Sequence, residues 1–93
     1  MDAAAAIAYL AERPNWSLSS DGKRIEREVR VRRFADALAF VNKVGAIAEE
    51  QGHHPDICFG WGYVSIRMQT HSIDGLHEND FILAAKIDML PLG

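Results

Sequence analysis

Residues 34–71, FADALAFVNKVGAIAEEQGHHPDICFGWGYVSIRMQTH, contain the change of period that decides the fold. In the first half, apolar residues recur every three or four positions, which predicts a long amphipathic helix that ends near Gly52. The predicted apolar stripe of this helix consists of Phe34, Ala37, Leu38, Val41, Val44 and Ala48. After a His-His-Pro break, residues 57–59 are typical of a strand, and a Gly-Trp-Gly turn follows. Apolar and polar residues then alternate from Tyr63 to His71, which predicts a second strand.

The flanking sequence supplies a helix and two strands before this stretch and one helix after it. The predicted elements are a helix over 3–12, strands over 16–19 and 25–32, and a last helix over 79–89. Pro14 ends the first helix because proline disfavours helical backbone at the preceding residue. Asp21-Gly22 favours a tight hairpin between the two strands. Arg27 is the one charged residue on the apolar face of the strand over 25–32, so we expect this side chain at an edge of the sheet or extended toward solvent. The order α-β-β-α-β-β-α predicts an α+β fold, a four-stranded antiparallel sheet with helices on one face.

Length and charge limit the classes of protein that this chain can be. The 93 residues predict one domain over 1–93. A net charge of −3 argues against direct nucleic-acid binding, which normally requires a basic excess. The longest apolar run, 3–11, is shorter than the ~20 residues that span a bilayer, and its flanks are unlike those of a secretion signal. We therefore expect a cytoplasmic protein with no membrane partner, and the single cysteine, Cys58, excludes an internal disulfide.

Histidines are the candidate reactive groups, because imidazole exchanges protons near neutral pH. His53 and His54 follow the long helix, and His71 closes the last predicted strand. Glu49 lies one helical turn before His53, so we expect its carboxylate to hold that imidazole in one tautomer. Asp80 falls in the first turn of the last helix, where a carboxylate commonly serves as a cap. Each residue alone has an ordinary capping or surface role; together they indicate an acid–base or metal site where the long helix meets the last strand.

The spacing of these residues resembles the signature of the pterin-4a-carbinolamine dehydratases. The matching residues are Glu49, His53-His54-Pro55, Trp61, His71 and Asp80. The resemblance extends over about residues 14–88, and the family's fold has the element order predicted above. His77 departs from the family pattern, which commonly has serine or threonine at this position. Because histidine is a poorer N-cap, we expect the start of the last helix to fray slightly.

The resemblance implies a dehydratase that converts 4a-hydroxytetrahydrobiopterin to quinonoid dihydropterin and water in tetrahydrobiopterin recycling. The reaction would use general acid–base catalysis without a cofactor or a metal. The implied catalytic residues are His53, His54 and His71, and the implied supporting residues are Glu49 and Asp80. The implied substrate contacts are His53, His54, Pro55, Thr70, His71, Ser72, Ile73 and Trp16, the last as a flat wall for the pterin. Family members are often dimers or tetramers, so the expected partners are the pterin and further copies of this chain.

Two other interpretations stay open at this point. A metal-binding protein would use His53, His54 and His71, although adjacent residues in extended backbone point in opposite directions. A non-enzymatic interaction module is the second alternative, because some animal relatives are dimerisation cofactors of a homeodomain transcription factor. The complete set of signature residues favours the enzyme.

Overall fold

The structure, a computed structural model, describes residues 1–91, so the last two residues of the predicted domain lie outside the described residues. The elements are α1 (Ala3–Leu10), β1 (Ser17–Leu18), β2 (Ile25–Arg30), α2 (Phe34–Gln51), β3 (Asp56–Gly60), β4 (Tyr63–Met68), a single 3₁₀ turn (His71–Ile73) and α3 (Glu78–Asp88). Every strand pair is antiparallel, and the order across the sheet is β1-β2-β4-β3. The predicted α+β fold and its element order are confirmed. No helix within residues 1–91 is both long enough and apolar enough to cross a membrane.

One face of the sheet forms the core with the helices, as the alternation in β4 predicts. Val64, Ile66 and Met68 are at most 1% exposed. The antiparallel register places Val29 of β2 opposite Val64 and Ile25 opposite Met68, so apolar residues of both central strands share this face. Glu26, Glu28 and Arg30 of β2 lie on the other face, because successive side chains of a strand alternate.

The long helix α2 packs on that face with a stripe that differs from the predicted one at its start. Its buried residues are Ala37, Phe40, Val44 and Ala48. Phe34 and Leu38 are 48% and 42% exposed, so their assignment to the core was wrong, and Phe40 fills the core position instead. Gly52 ends the helix in the left-handed conformation, with φ 65°, as predicted for a glycine at this point.

Arg27 lies on the buried face of a central strand, which corrects the expectation of an edge position or a side chain extended to solvent. Its side chain is 10% exposed, and the guanidinium donates from Nη1 to Asp88 Oδ1 at 2.6 Å. The indole of Trp16 donates to the same oxygen at 2.9 Å, and Arg13 donates to Oδ2 at 3.4 Å. Asp88 at the end of α3 therefore neutralises the charge that β2 places on the buried face of the sheet.

The last strand ends at Met68, three residues earlier than predicted. Thr70 N donates to Gly75 O at 2.7 Å, so the chain turns back on itself instead of continuing along the sheet. His71 consequently lies in the 3₁₀ turn of this loop, not at the end of a strand. The loop connects β4 to α3. His71 directly follows Thr70, whose hydroxyl donates a hydrogen bond to Asp80 of α3.

Candidate active site

Asp80, in the first turn of α3, is the only buried charged residue within residues 1–91, with 0% exposure. Its Oδ1 lies 2.5 Å from Nε2 of His53. Its Oδ2 accepts hydrogen bonds from the Thr70 hydroxyl at 2.9 Å and from the backbone N–H of His77 at 2.9 Å. One carboxylate thus joins the segment after α2, the loop after β4 and the start of α3.

These contacts explain how a carboxylate can be buried here. Each oxygen of Asp80 has hydrogen-bond donors, and the N-terminal end of a helix stabilises negative charge. His77 completes the cap, because its Nδ1 accepts from the backbone N–H of Asn79 at 3.2 Å. The ring nitrogen of His77 thus takes the place of the hydroxyl acceptor that serine or threonine would provide. The capping role of Asp80 is confirmed, and its contact with His53 is additional.

His53 and His54 point to different surroundings, in agreement with the extended backbone expected before proline. The side chain of His53 is 16% exposed and faces Asp80, whereas that of His54 is 61% exposed. Nε2 of His54 lies 2.9 Å from Oε1 of Glu49. The prediction that Glu49 orients His53 was therefore wrong: Glu49 pairs with His54. The left-handed backbone of Gly52 takes the chain out of the helical path, so the spacing of one helical turn no longer applies.

His71 has a partner that the sequence analysis did not identify. Gln69 Nε2 lies 3.1 Å from His71 Nδ1, and because an amide nitrogen can only donate, Nδ1 accepts. The neutral ring then carries its proton on Nε2. The side chains of His71, Ser72 and Ile73 are all exposed. Gln69 and His71 both lie beyond the end of β4, so the alternation predicted for a strand did not signal this contact.

Asp80 contacts two of the predicted site residues, His53 and Thr70, and Trp16 lies apart from them. Through His53 and Thr70, Asp80 joins the two predicted substrate-binding segments, 53–55 and 70–73. Trp16 is 4% exposed and bonds to the opposite end of α3, eight residues or about 12 Å from Asp80 along the helix. The structure therefore does not bring Trp16 to the histidines, and a buried indole has no free face on which a pterin can stack.

The groove between α1 and α3 is a separate feature. Its volume is about 270 Å³, and its lining consists of Tyr9, Glu12, Arg13, Glu78, Phe81, Ile82 and Ala85. The rings of Tyr9 and Phe81 stack there with centroids 4.8 Å apart. No histidine contributes to this groove, so it is separate from the candidate site around Asp80.

The chain matches the model of the family described as pterin 4 alpha carbinolamine dehydratase over residues 1–90. It belongs to this family. It is 54% identical over 90 residues to a family protein of Halorhodospira halophila, and the matched region covers 97% of this chain and 83% of that protein. It is 56% identical over 77 residues to a family protein of Rubrobacter xylanophilus, and the matched region covers 83% of this chain and 71% of that protein. Both relatives carry the name "Putative pterin-4-alpha-carbinolamine dehydratase".

Two solved structures share the family fold. A transcriptional coactivator/pterin dehydratase from Brucella melitensis superposes with a TM-score of 0.89 over 95% of this chain and 94% of that chain, at 24% identity. A pterin dehydratase-like protein described as a RuBisCO assembly factor in the alpha-carboxysome superposes with a TM-score of 0.68 at 27% identity, over 80% of this chain and 86% of that chain. The first likeness shows the fold alone, and the second indicates that this fold also occurs in a protein with an assembly role.

In this family member, the metal interpretation finds no set of ligands. Within residues 1–91, no three histidine, cysteine, aspartate or glutamate side chains are arranged to hold a metal ion. His53 and His54 each contact a different carboxylate, which is the arrangement of two separately oriented imidazoles. A carboxylate that pairs with one ring nitrogen fixes the tautomer of the imidazole.

Proposed function

We propose that this chain is a hydro-lyase that dehydrates 4a-hydroxytetrahydrobiopterin, with His53, His54 and His71 as the acid–base groups. Membership of the pterin-4a-carbinolamine dehydratase family supports the reaction class. The observation that carries the proposal is the buried carboxylate of Asp80, which links His53 to Thr70, the residue beside His71. Through this carboxylate, the segment that carries His53 and His54 is linked to the segment that carries His71.

The reaction requires two proton transfers and no electron transfer. The C4a–O bond breaks, the lone pair of the adjacent ring nitrogen forms the C=N bond, and the departing hydroxyl receives a proton to leave as water. A ring nitrogen loses a proton, so the net change is the loss of one water molecule. Imidazoles that lie ~3 Å from these atoms suit both transfers, and each acid or base contributes roughly 10²–10⁴-fold in rate.

His54 and His71 are the proposed proton-transfer pair, because both side chains are exposed and accessible to a ligand. His53 is more enclosed and would flank the same hydroxyl. Glu49 would orient His54, and Asp80 would orient His53, as carboxylates commonly do for imidazoles. Backbone and side-chain groups of 53–55 and 70–73 would contact the pterin ring.

The proposed assembly is a homodimer or homotetramer. β3 is an edge strand of the sheet, and an edge strand presents unpaired backbone groups to a partner. Phe34 and Leu38 on α2 expose apolar surface that a second copy would cover. Light scattering should give a mass of at least twice the 10.4 kDa of the chain at micromolar concentration. A mass equal to that of one chain over this range would contradict the assembly.

A stopped-flow assay with chemically generated 4a-hydroxytetrahydropterin tests the dehydratase proposal. Protein treated exhaustively with EDTA should accelerate the appearance of quinonoid dihydropterin at the same rate as untreated protein. Loss of activity after chelation and its return with zinc would support a metal mechanism instead. A folded protein that gives no acceleration would favour the interaction module.

A further inference from the structure

The loop over residues 70–75 carries His71 and is held by few contacts. Backbone bonds bridge its ends, from Thr70 N to Gly75 O at 2.7 Å and from Gly75 N to Thr70 O at 3.4 Å. The side chains of residues 71–74 between them are all exposed. Because packing contributes little to this segment, its conformation depends on a small number of polar contacts.

Asp74 has the most unusual backbone conformation in the loop. Its backbone is left-handed, with φ 46° and ψ 50°, and it is the only residue other than glycine with positive φ within residues 1–91. Asp74 N donates to His71 O at 3.1 Å, so this conformation closes the turn that presents the imidazole. Aspartate tolerates left-handed backbone better than most residues, but such a conformation persists only when surrounding contacts favour it.

Lys23, in the hairpin between β1 and β2, supplies a contact of this kind. Its Nζ donates to Asp74 Oδ2 at 2.7 Å across 51 positions of sequence. The hairpin is itself fixed, because Asp21 Oδ1 accepts from Lys23 N at 3.0 Å and from the Ser19 hydroxyl at 2.6 Å. The hydrogen bond to Asp74 raises the pKa of Lys23 above its ordinary value, so the ammonium stays charged at neutral pH.

We infer that the ion pair between Lys23 and Asp74 is a positioning contact for His71: it keeps the left-handed turn closed and thereby fixes the place of the imidazole. The inference rests on the proposed function, in which His71 transfers a proton. An exposed ion pair contributes little to global stability, so its effect is expected locally. Displacement of a reacting group by about 1 Å can lower a rate by up to ~10²-fold.

Four variants test this contact. Lys23→Met removes the ammonium, Lys23→Arg keeps a charge, Asp74→Asn keeps a residue that tolerates left-handed backbone, and Lys43→Met on the exposed surface of α2 is the matched control. Lys23→Met and Asp74→Asn should each lower kcat roughly 3–10-fold, with KM and Tm almost unchanged. Lys23→Arg should restore at least about half of the wild-type rate, and the control should retain it.

Two comparisons separate a positioning contact from two independent residues. The double variant Lys23→Met/Asp74→Asn should be no slower than the slower single variant, because both changes remove the same interaction. Salt at about 0.5 M should lower the wild-type rate by a larger factor than the rate of Lys23→Met, because salt screens exposed pairs and the variant has one such pair fewer. Additive losses, or equal salt effects on both proteins, would overturn the inference.

Amide hydrogen exchange provides a measurement that does not depend on turnover. Ile73 N bonds to Thr70 O at 3.2 Å and Asp74 N to His71 O at 3.1 Å. Lys23→Met should accelerate exchange at these two amides by roughly threefold or more and leave β4 unchanged. Unchanged exchange and kcat would overturn the inference. Faster exchange in a protein without dehydratase activity would support the contact and reject the proposed function, so the two failures are distinguishable.

Discussion

Replacing Asp80 by asparagine separates the two tasks of this carboxylate, orienting His53 and capping α3. The amide oxygen of the variant can occupy the position of Oδ2 and accept from Thr70 and from the N–H of His77. The amide NH₂ then faces Nε2 of His53 and can only donate, so the imidazole must present a lone pair there. The ring keeps its place, but its proton moves to Nδ1.

The structure sets the expected magnitudes. Asp80→Asn keeps three hydrogen bonds and loses only their charge assistance, so we expect a loss of about 1 kcal/mol in the free energy of unfolding. Asp80→Ala leaves His53, Thr70 and the His77 amide without their partner, which should cost about 3–5 kcal/mol, or more than ~10 °C in Tm. For kcat, reversing the tautomer of a catalytic histidine by such a change can cost about 10²–10⁴-fold.

The assay combines stopped-flow kinetics, thermal unfolding and ¹⁵N NMR of the imidazoles. Asp80→Asn should lower kcat by at least ~10²-fold with KM within about threefold, and should move the His53 proton from Nε2 to Nδ1. Glu50→Gln, a carboxylate-to-amide change on the exposed surface of α2, is the control and should retain activity and Tm. Wild-type kcat in Asp80→Asn, or a Tm as low as that of Asp80→Ala, would refute the orienting role.

Three further predictions concern the other charged and titratable groups. His54→Ala and His71→Ala should each lower kcat by roughly 10²-fold or more and change the free energy of unfolding by less than ~0.5 kcal/mol, because both side chains are exposed; losses that follow unfolding in denaturation curves would contradict this. Asp88→Ala should lower the free energy of unfolding by about 3 kcal/mol, since two arginines and an indole lose their acceptor, while the folded fraction keeps its kcat; a stability within ~0.5 kcal/mol of wild type in urea would count against the cluster. The hydrogen bond from Arg33 holds the pKa of Asp36 below its ordinary value, so its stabilisation is present above about pH 4 and is lost as pH falls through the lower, folded-state pKa. Asp36→Asn should therefore flatten the decline of Tm below pH 4, and an unchanged profile would exclude this contribution.

The sequence by itself determined the elements and their order. Periods of 3.6 and 2 residues arise from the backbone geometry of helices and strands, so residues 34–71 indicated the positions of α2, β3 and β4, with the end of β4 placed three residues too late. Gly52 marked the end of α2 and Asp21-Gly22 marked the hairpin, because the left-handed backbone that glycine adopts at such points is a local requirement. The histidine signature indicated the family, which the match over residues 1–90 confirms.

Tertiary structure alone decided which groups meet. Asp80 of α3 reaches His53 across 27 positions of sequence, and Lys23 of the hairpin reaches Asp74 across 51 positions. The same holds for Arg27, whose charge on the helix-covered face of the sheet is neutralised by the distant Asp88. Periodicity assigns a side chain to a face of its own element, but the partner on that face depends on how separate elements pack. That packing is set by all of their contacts together, and local sequence does not encode it.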